Sequence, residues 1–224
     1  MKTYLFGETA LKKPILAYEW GNENDPKVLI VGTVHGDEIE GTTAALGLLR
    51  DLMKEKTFPY KLHLTLVPIL NVDGNLILTR QNGRGVDLNR NLPTKNWTGE
   101  FEKVRYYPGK AANSEPENQA LVNFLDRITP DFIITLHSWK PMLNVNGDCS
   151  QVAEAMQEVT QYKIVPDIGY PTPGSLGAYA ADDRGIPTLT YEIERGSEQI
   201  EIIDVHVRSL HAGLKACEKR FSKP

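Results

Sequence analysis

The chain has 224 residues, 41% of them hydrophobic, with a formal net charge of -4. That length suits one domain, residues 1–224, with a sizeable core. The mildly acidic balance and scattered Lys and Arg residues exclude a basic surface built for nucleic acid, and no apolar run approaches the ~18 residues of a membrane span.

Met1 to Trp20 alternates polar and apolar residues and lacks the unbroken apolar core of a secretion signal, so the cytoplasm is the expected compartment. Cys149 and Cys217 stand far apart without a Cys-x-x-Cys pair, which argues against a disulfide framework or a thiolate metal site. Lys27 to Val34 (KVLIVGTV) is a short apolar, β-branched run that reads as a strand buried on both faces. A helix is predicted from Ile39 to Met53, with Ile39, Thr43, Leu46, Leu49, Leu52 and Met53 as its apolar stripe. Lys61 to Leu70 alternates Leu62, Leu64 and Leu66 against His63 and Thr65, a further strand.

Asn71 to Tyr107 has little periodicity, many Asn, Arg and Gly residues, and more length than a connection needs, as a binding loop would. The next helix is announced by Ser114 as N-cap, Pro116 in the first turn and Glu117 as capping-box partner. A buried strand from Asp131 to His137, a helix from Gln151 to Tyr162, a Pro/Gly loop from Pro166 to Gly174, a short helix, a strand at PTLTYEIE and a C-terminal helix from Val205 to Phe221 follow. Strand and helix alternate for most of the length, which predicts a three-layer α/β/α domain with a mostly parallel, mixed central sheet.

Such sheets bind ligands beyond the carboxyl ends of their strands, where His35 follows one buried strand and His137 closes another. Two imidazoles and a carboxylate, with a fourth position open, form a catalytic zinc set. Glu38 is the nearest carboxylate; Asp37 and Glu38 serve equally as first-turn charges at the positive end of the helix. His206 and His211, five residues apart on the last helix, face different ways and are poor ligands. Glu192 and Glu194 share one face of the PTLTYEIE strand, and Glu192 lies deeper in its apolar part, so it is the better candidate for a base. Arg80, Arg84 and Arg90, with Asn82, Asn89 and Asn91, suit oxyanions, although an ordinary polar loop carries as many such groups.

The segments HGDE, NVDG, RQNGRGVDLNRN, TLH and TYEI, in this order, resemble the zinc carboxypeptidase (funnelin) family over Lys27 to Glu194. The resemblance implies one Zn2+ per chain held by His35, Glu38 and His137, with Glu192 as general base and Arg80 stabilising the oxyanion. It implies that Asn89 and Arg90 bind the substrate's terminal carboxylate, that Asp87 orients His35, and that Tyr170, rather than Tyr179, is the family's mobile capping tyrosine. Val72 stands where the family usually has proline, and the secreted members' extra segments are missing. The compact form, with GYPTPGSLG, is similar to the bacterial murein peptide amidases, which implies a small murein tripeptide substrate cut between γ-D-glutamate and meso-diaminopimelate. The pocket that would select the released residue is expected near Trp139, Asn144, Asn146 and Asp148. A zinc deacylase of small N-acyl amino acids fits NVDG and GVDLNRN less well. A binding module that has lost catalysis would not need every candidate intact. A serine hydrolase lacks a Gly-x-Ser-x-Gly elbow.

Overall fold

A computed structural model of the chain describes residues 1–221. An eight-stranded mixed sheet runs through it in the order β1-β2-β4-β3-β5-β8-β6-β7. Its centre is parallel: β4 (His63–Val67), β3 (Lys27–Val31), β5 (Phe132–Trp139) and β8 (Thr188–Glu194). These are the apolar, β-branched runs of the sequence, and β3 to β5 are almost wholly buried because helices cover both faces. On one face α1 (Ile39–Lys54), α4 (Ser150–Thr160) and α6 (Val207–Phe221) pack through Leu48, Met156 and Leu210. On the other, α3 (Pro116–Ile128) packs through Leu121, Phe124 and Leu125, together with the long loops. The three-layer α/β/α architecture is therefore as expected. No helix among the described residues is long and apolar enough to cross a membrane.

The alternation of Met1 to Trp20 belongs to an antiparallel hairpin, β1 (Lys2–Glu8) and β2 (Pro14–Trp20), that extends the sheet beside β4. Two strands carry no sequence signal strong enough to announce them: β6 (Met142–Asn146), antiparallel to β8, and the three-residue β7 (Lys163–Val165). Two local expectations are corrected. In α1, Ile39, Leu46 and Met53 are exposed, and the buried face is built from Gly41, Ala44, Ala45, Leu48 and Leu52. Small residues face the sheet there because the helix lies close: a Cβ on Gly41 would sit 3.1 Å from the Leu136 carbonyl oxygen. In α3 the N-cap is Glu115, and no capping box forms. Glu117 instead accepts from the Ala10 backbone and from Asn82, while Ser114 donates to Glu115. These tertiary bonds replace the local ones.

The path of the chain positions the site. From β3, α1 leads to β4 on one side, whereas α3 returns the chain to β5 on the other, so the direction of winding reverses at β3. A crevice opens at the carboxyl ends where winding reverses. His35 follows β3 into it, and register sets His137 of β5 directly beside Glu192 of β8.

Candidate active site

Past Val31 the backbone continues to pair with the segment after β4, Leu70 and Asn71 donating to Gly32 and Thr33. Asn71 caps the short α2 (Val72–Leu76), accepting from the Gly74 backbone, and its amide nitrogen donates to the carbonyls of Val34 and Arg80. Gly36 allows this contact: a Cβ there would lie 2.1 Å from the Gly74 carbonyl carbon. The turn thus forms with Val72 in it, and it brings the HGDE and NVDG segments together.

Glu38 is the N-cap residue of α1, yet its side chain caps nothing. Its carboxylate turns inward, with Oε1 2.8 Å from His35 Nδ1 and Oε2 2.9 Å from His137 Nδ1. The two ring nitrogens are themselves 3.1 Å apart. Of the two readings open for Glu38, the inward one describes this arrangement. Beneath it, Asp87 is fully buried and accepts from Arg80 Nε at 2.9 Å and from the Asn89 backbone at 2.9 Å. Burial pushes the Asp87 carboxyl up, but the adjacent His35 and Arg80 outweigh it and hold it far below the usual carboxylate range. Ionised, Asp87 accepts from His35 Nε2 at 3.1 Å, which leaves His35 Nδ1 a lone pair aimed at Glu38.

This is the observation that tests the fit to a metal. Two ring nitrogens and an anionic carboxylate converge here, with Arg80 Nη1 also 3.2 Å from His35 Nδ1. His137 Nε2 is buried without a partner among the described residues, so its ring is free to turn a lone pair to the centre. Donor atoms of His35, Glu38 and His137 all lie within 4.8 Å of one another, and all three residues are buried. The set of two imidazoles and one carboxylate fits zinc.

Glu192 lies beside this centre and lines the same cleft of about 450 Å³. Its Oε2 is buried without a hydrogen-bond partner among the described residues. Burial pushes its carboxyl up to about 7, with His137 and Arg80 opposing and Glu38 reinforcing the rise. Glu194, by contrast, is exposed at the strand's end. Arg80 is half-buried beside the centre, its Nη1 3.4 Å from Glu38 Oε1. Arg90 also lines the cleft, and the neighbouring Asn89 accepts from Leu176 N at 2.8 Å, so its amide nitrogen is the group left for the cleft. Tyr170 is 44% exposed and stands edge-on to Trp139, whereas Tyr179 is 8% exposed, in the core, with its hydroxyl accepting from Arg184.

Several candidates fall outside. Asn82 and Asn91 brace the loop from within, bonding Glu115 and the carbonyls of Pro108 and Ala111, and Arg84 pairs with Glu115. Asp148 pairs with Arg220 at the surface, although Trp139, Asn144 and Asn146 do line the cleft. His206 is buried, its Nδ1 2.5 Å from the Tyr191 hydroxyl, and burial pushes its ring down to about 4. Sequence reasoning missed Tyr106, whose ring lies 5.3 to 5.6 Å from the guanidiniums of Arg80, Arg90 and Arg105. A tyrosine beside an arginine-rich loop is the one signal that pointed to it.

Gly174 holds Arg90 in place. Its φ is +73°, and a Cβ there would sit 2.1 Å from the Arg90 carbonyl oxygen. Both of its backbone groups are bonded, to Leu92 N and to Thr94 Oγ1. Gly174→Ala is expected to cost on the order of 2 kcal/mol or more, since left-handed strain and a backbone clash add; denaturant unfolding checks it, and an unchanged midpoint would contradict it.

Comparison with known proteins gives one consistent picture. Residues 1–182 match the zinc carboxypeptidase family. Murein peptide amidase A of Vibrio campbellii is 29% identical over 209 residues, covering 88% of this chain and 81% of that protein. Its counterpart in Escherichia coli strain K12 is 30% identical over 189 residues, covering 79% and 75%. The crystal structure of murein-tripeptide amidase from Escherichia coli O157 superposes with a TM-score of 0.78 at 25% identity, over 100% of this chain and 93% of that one. Carboxypeptidase A of Helicoverpa armigera, 18% identical, shares the fold with a TM-score of 0.81, over 98% of this chain and 69% of that one.

Proposed function

This chain belongs to the zinc carboxypeptidase family, and on that premise we propose that it hydrolyses the γ-D-glutamyl–meso-diaminopimelate bond of murein peptides, in cytoplasmic recycling of cell-wall fragments. The observation that carries the reading is the convergence of His35, Glu38 and His137 beside an unpartnered Glu192, in one cleft with Arg80 and Arg90. The similarity to murein peptide amidases supports the substrate. It also favours a peptidase over the deacylase alternative.

His35, Glu38 and His137 would hold one zinc ion, with Asp87 fixing the His35 tautomer. When bound, zinc supplies Lewis acidity to the scissile carbonyl. Glu192 takes a proton from the attacking water and returns it to the departing amine, so that amide plus water become carboxylate and amine. Burial raises the Glu192 carboxyl and a bound cation would lower it again, which keeps a group able to take a proton and to return it. Arg80 meets the negative charge developing on the carbonyl oxygen. Asn89 and Arg90 grip the free carboxylate of the released residue, which restricts cutting to a chain end. Tyr170 closes over the bound peptide.

Incubation with murein tripeptide, followed by mass spectrometry, is expected to show release of diaminopimelate; an intact tripeptide with zinc-loaded protein would refute the reading. Arg90→Ala is expected to raise KM on the tripeptide by about 10- to 100-fold, the effect of losing a charged hydrogen bond. The preference for tripeptide over its C-terminally amidated form should collapse with it, and a preserved preference would remove Arg90 from that role.

A further inference from the structure

Four arginines line the cleft; Arg80 and Arg90 have the tasks proposed above, Arg105 stacks on Tyr106, and Arg195 stands apart from that cluster, past the end of β8. Arg195 lies just past β8, and its backbone nitrogen donates to the Trp139 carbonyl at 2.9 Å, fixing it at the end of β5. Its side chain is 45% exposed. Its contacts are long: Nη2 stands 3.4 Å from Asp37 Oδ2, and Nη1 stands 3.5 Å from Ser138 Oγ. Both distances lie beyond the usual range for such bonds, so the guanidinium keeps most of its donor capacity. Asp37 Oδ1 is buried with no hydrogen-bond partner among the described residues.

The support beneath this pair is firm. Glu40, buried on α1, accepts from Ser138 Oγ at 2.6 Å and from the Gly196 backbone at 2.7 Å, tying the turn after β8 to β5. Asp37 precedes Glu38, and Ser138 follows His137. A cation and an anion, each under-used, are therefore held at the edge of the centre above α1. The groups assigned to the released residue, Asn89 and Arg90, come instead from the long loop on the α3 face.

We propose that Arg195 and Asp37 form a binding site for the acyl half of the substrate, Arg195 taking a free carboxylate on the residue whose carbonyl is cut and Asp37 taking an ammonium on the residue before it. The inference deepens the proposed function and rests on it. The ligand class is a γ-glutamyl amide: because that residue is linked through its side chain, its α-carboxylate is free, on the carbon three bonds from the scissile carbonyl. An α-linked residue without an acidic side chain has no carboxylate to offer and leaves the guanidinium without its partner. A site that pairs with a charged group discriminates against analogues lacking it, since the charge-assisted pair is lost.

Two substrates separate the outcomes: murein tripeptide, and the same tripeptide with the D-glutamyl α-carboxylate converted to a carboxamide. The wild-type enzyme is expected to prefer the first by roughly 10- to 100-fold in kcat/KM, the effect of a charge-assisted pair. In Arg195→Met the two values should come within about threefold of each other, and Arg195→Lys should restore part of the ratio. A thermal midpoint within about 2 °C of wild type shows that each variant is folded. A wild-type enzyme that cuts both substrates equally, or an Arg195→Met variant that keeps the wild-type ratio, overturns the site while the proposed function stands. A zinc-loaded wild type that cuts neither refutes the proposed function, and this inference with it.

Discussion

Glu192→Gln is expected to lower kcat by about 10²- to 10⁴-fold, the usual range for loss of a positioned acid–base group, while metal content stays that of the wild type. The substitution keeps shape and hydrogen-bonding capacity but removes the proton acceptor. KM should move little, since the role proposed for Glu192 lies in the chemical step. The same substitution should stabilise the metal-free protein at alkaline pH. With the folded carboxyl pushed up to about 7 from an ordinary 4.5, the unfolded chain releases this proton between those values while the folded chain keeps it. Stability therefore falls as pH rises across that window, and above it the wild type carries a penalty with an upper bound of roughly 3 kcal/mol. The variant's neutral amide would carry none. Thermal melts of both metal-free proteins at pH 8 and at pH 4 check this: the variant's advantage is expected at pH 8 and should vanish at pH 4. Undiminished turnover would remove Glu192 from catalysis, whatever the melts show.

The same ionisation governs activity. If Glu192 is the base proposed above, turnover needs its carboxylate, and kcat/KM is expected to rise with pH through its midpoint. A cation held at the neighbouring centre favours the charged form, which puts the acid limb below about 7. Glu192→Gln should lack that limb in its residual activity.

Much of this site was legible because strand ends carry it. Buried β-branched runs mark β3, β5 and β8 without ambiguity, and their carboxyl ends bring His35, His137 and Glu192 to one rim by topology alone. Glu38 joins them because the turn after β3 points the start of α1 at the same place. What escaped depends on the path of loops. Arg195 and Ser138 acquire meaning only through the Glu40 bonds between distant segments. Tyr106 gathers three arginines because the long loop folds back on itself. The strand β6 reads poorly because its alternating Asn144 and Asn146 line the cleft rather than a core. In α1 the large apolar side chains misled, since close packing against the sheet selected glycine and alanine for the inner face.

Exhaustive chelation is expected to abolish turnover and to lower the thermal midpoint, with zinc restoring both. The physical reason lies in the charges of the centre. Glu38 and Asp87 are both held ionised inside the protein, and Arg80 is the one permanent cation touching them among the described residues. A divalent ion held by this cluster would be bound in the folded state alone, because the three donors come from two strand ends and a helix start that unfolding separates. At a free zinc concentration a thousandfold above Kd the linkage contributes about 4 kcal/mol, or roughly 10 °C in a domain of this size. The difference between loaded and metal-free midpoints should also shrink in acid. Burial and Arg80 push the His35 ring down, but Glu38 and Asp87 push it up further, so its net shift is upward. A ring so shifted stabilises the metal-free fold by binding a proton, fully so below the ordinary value of 6.5 and less as pH rises through the folded value. In acid that proton competes for the Nδ1 lone pair. Melts of loaded and stripped protein from pH 5 to pH 8 should therefore diverge with rising pH; coincident curves, or full turnover after chelation, would mean that these three side chains hold no catalytic metal.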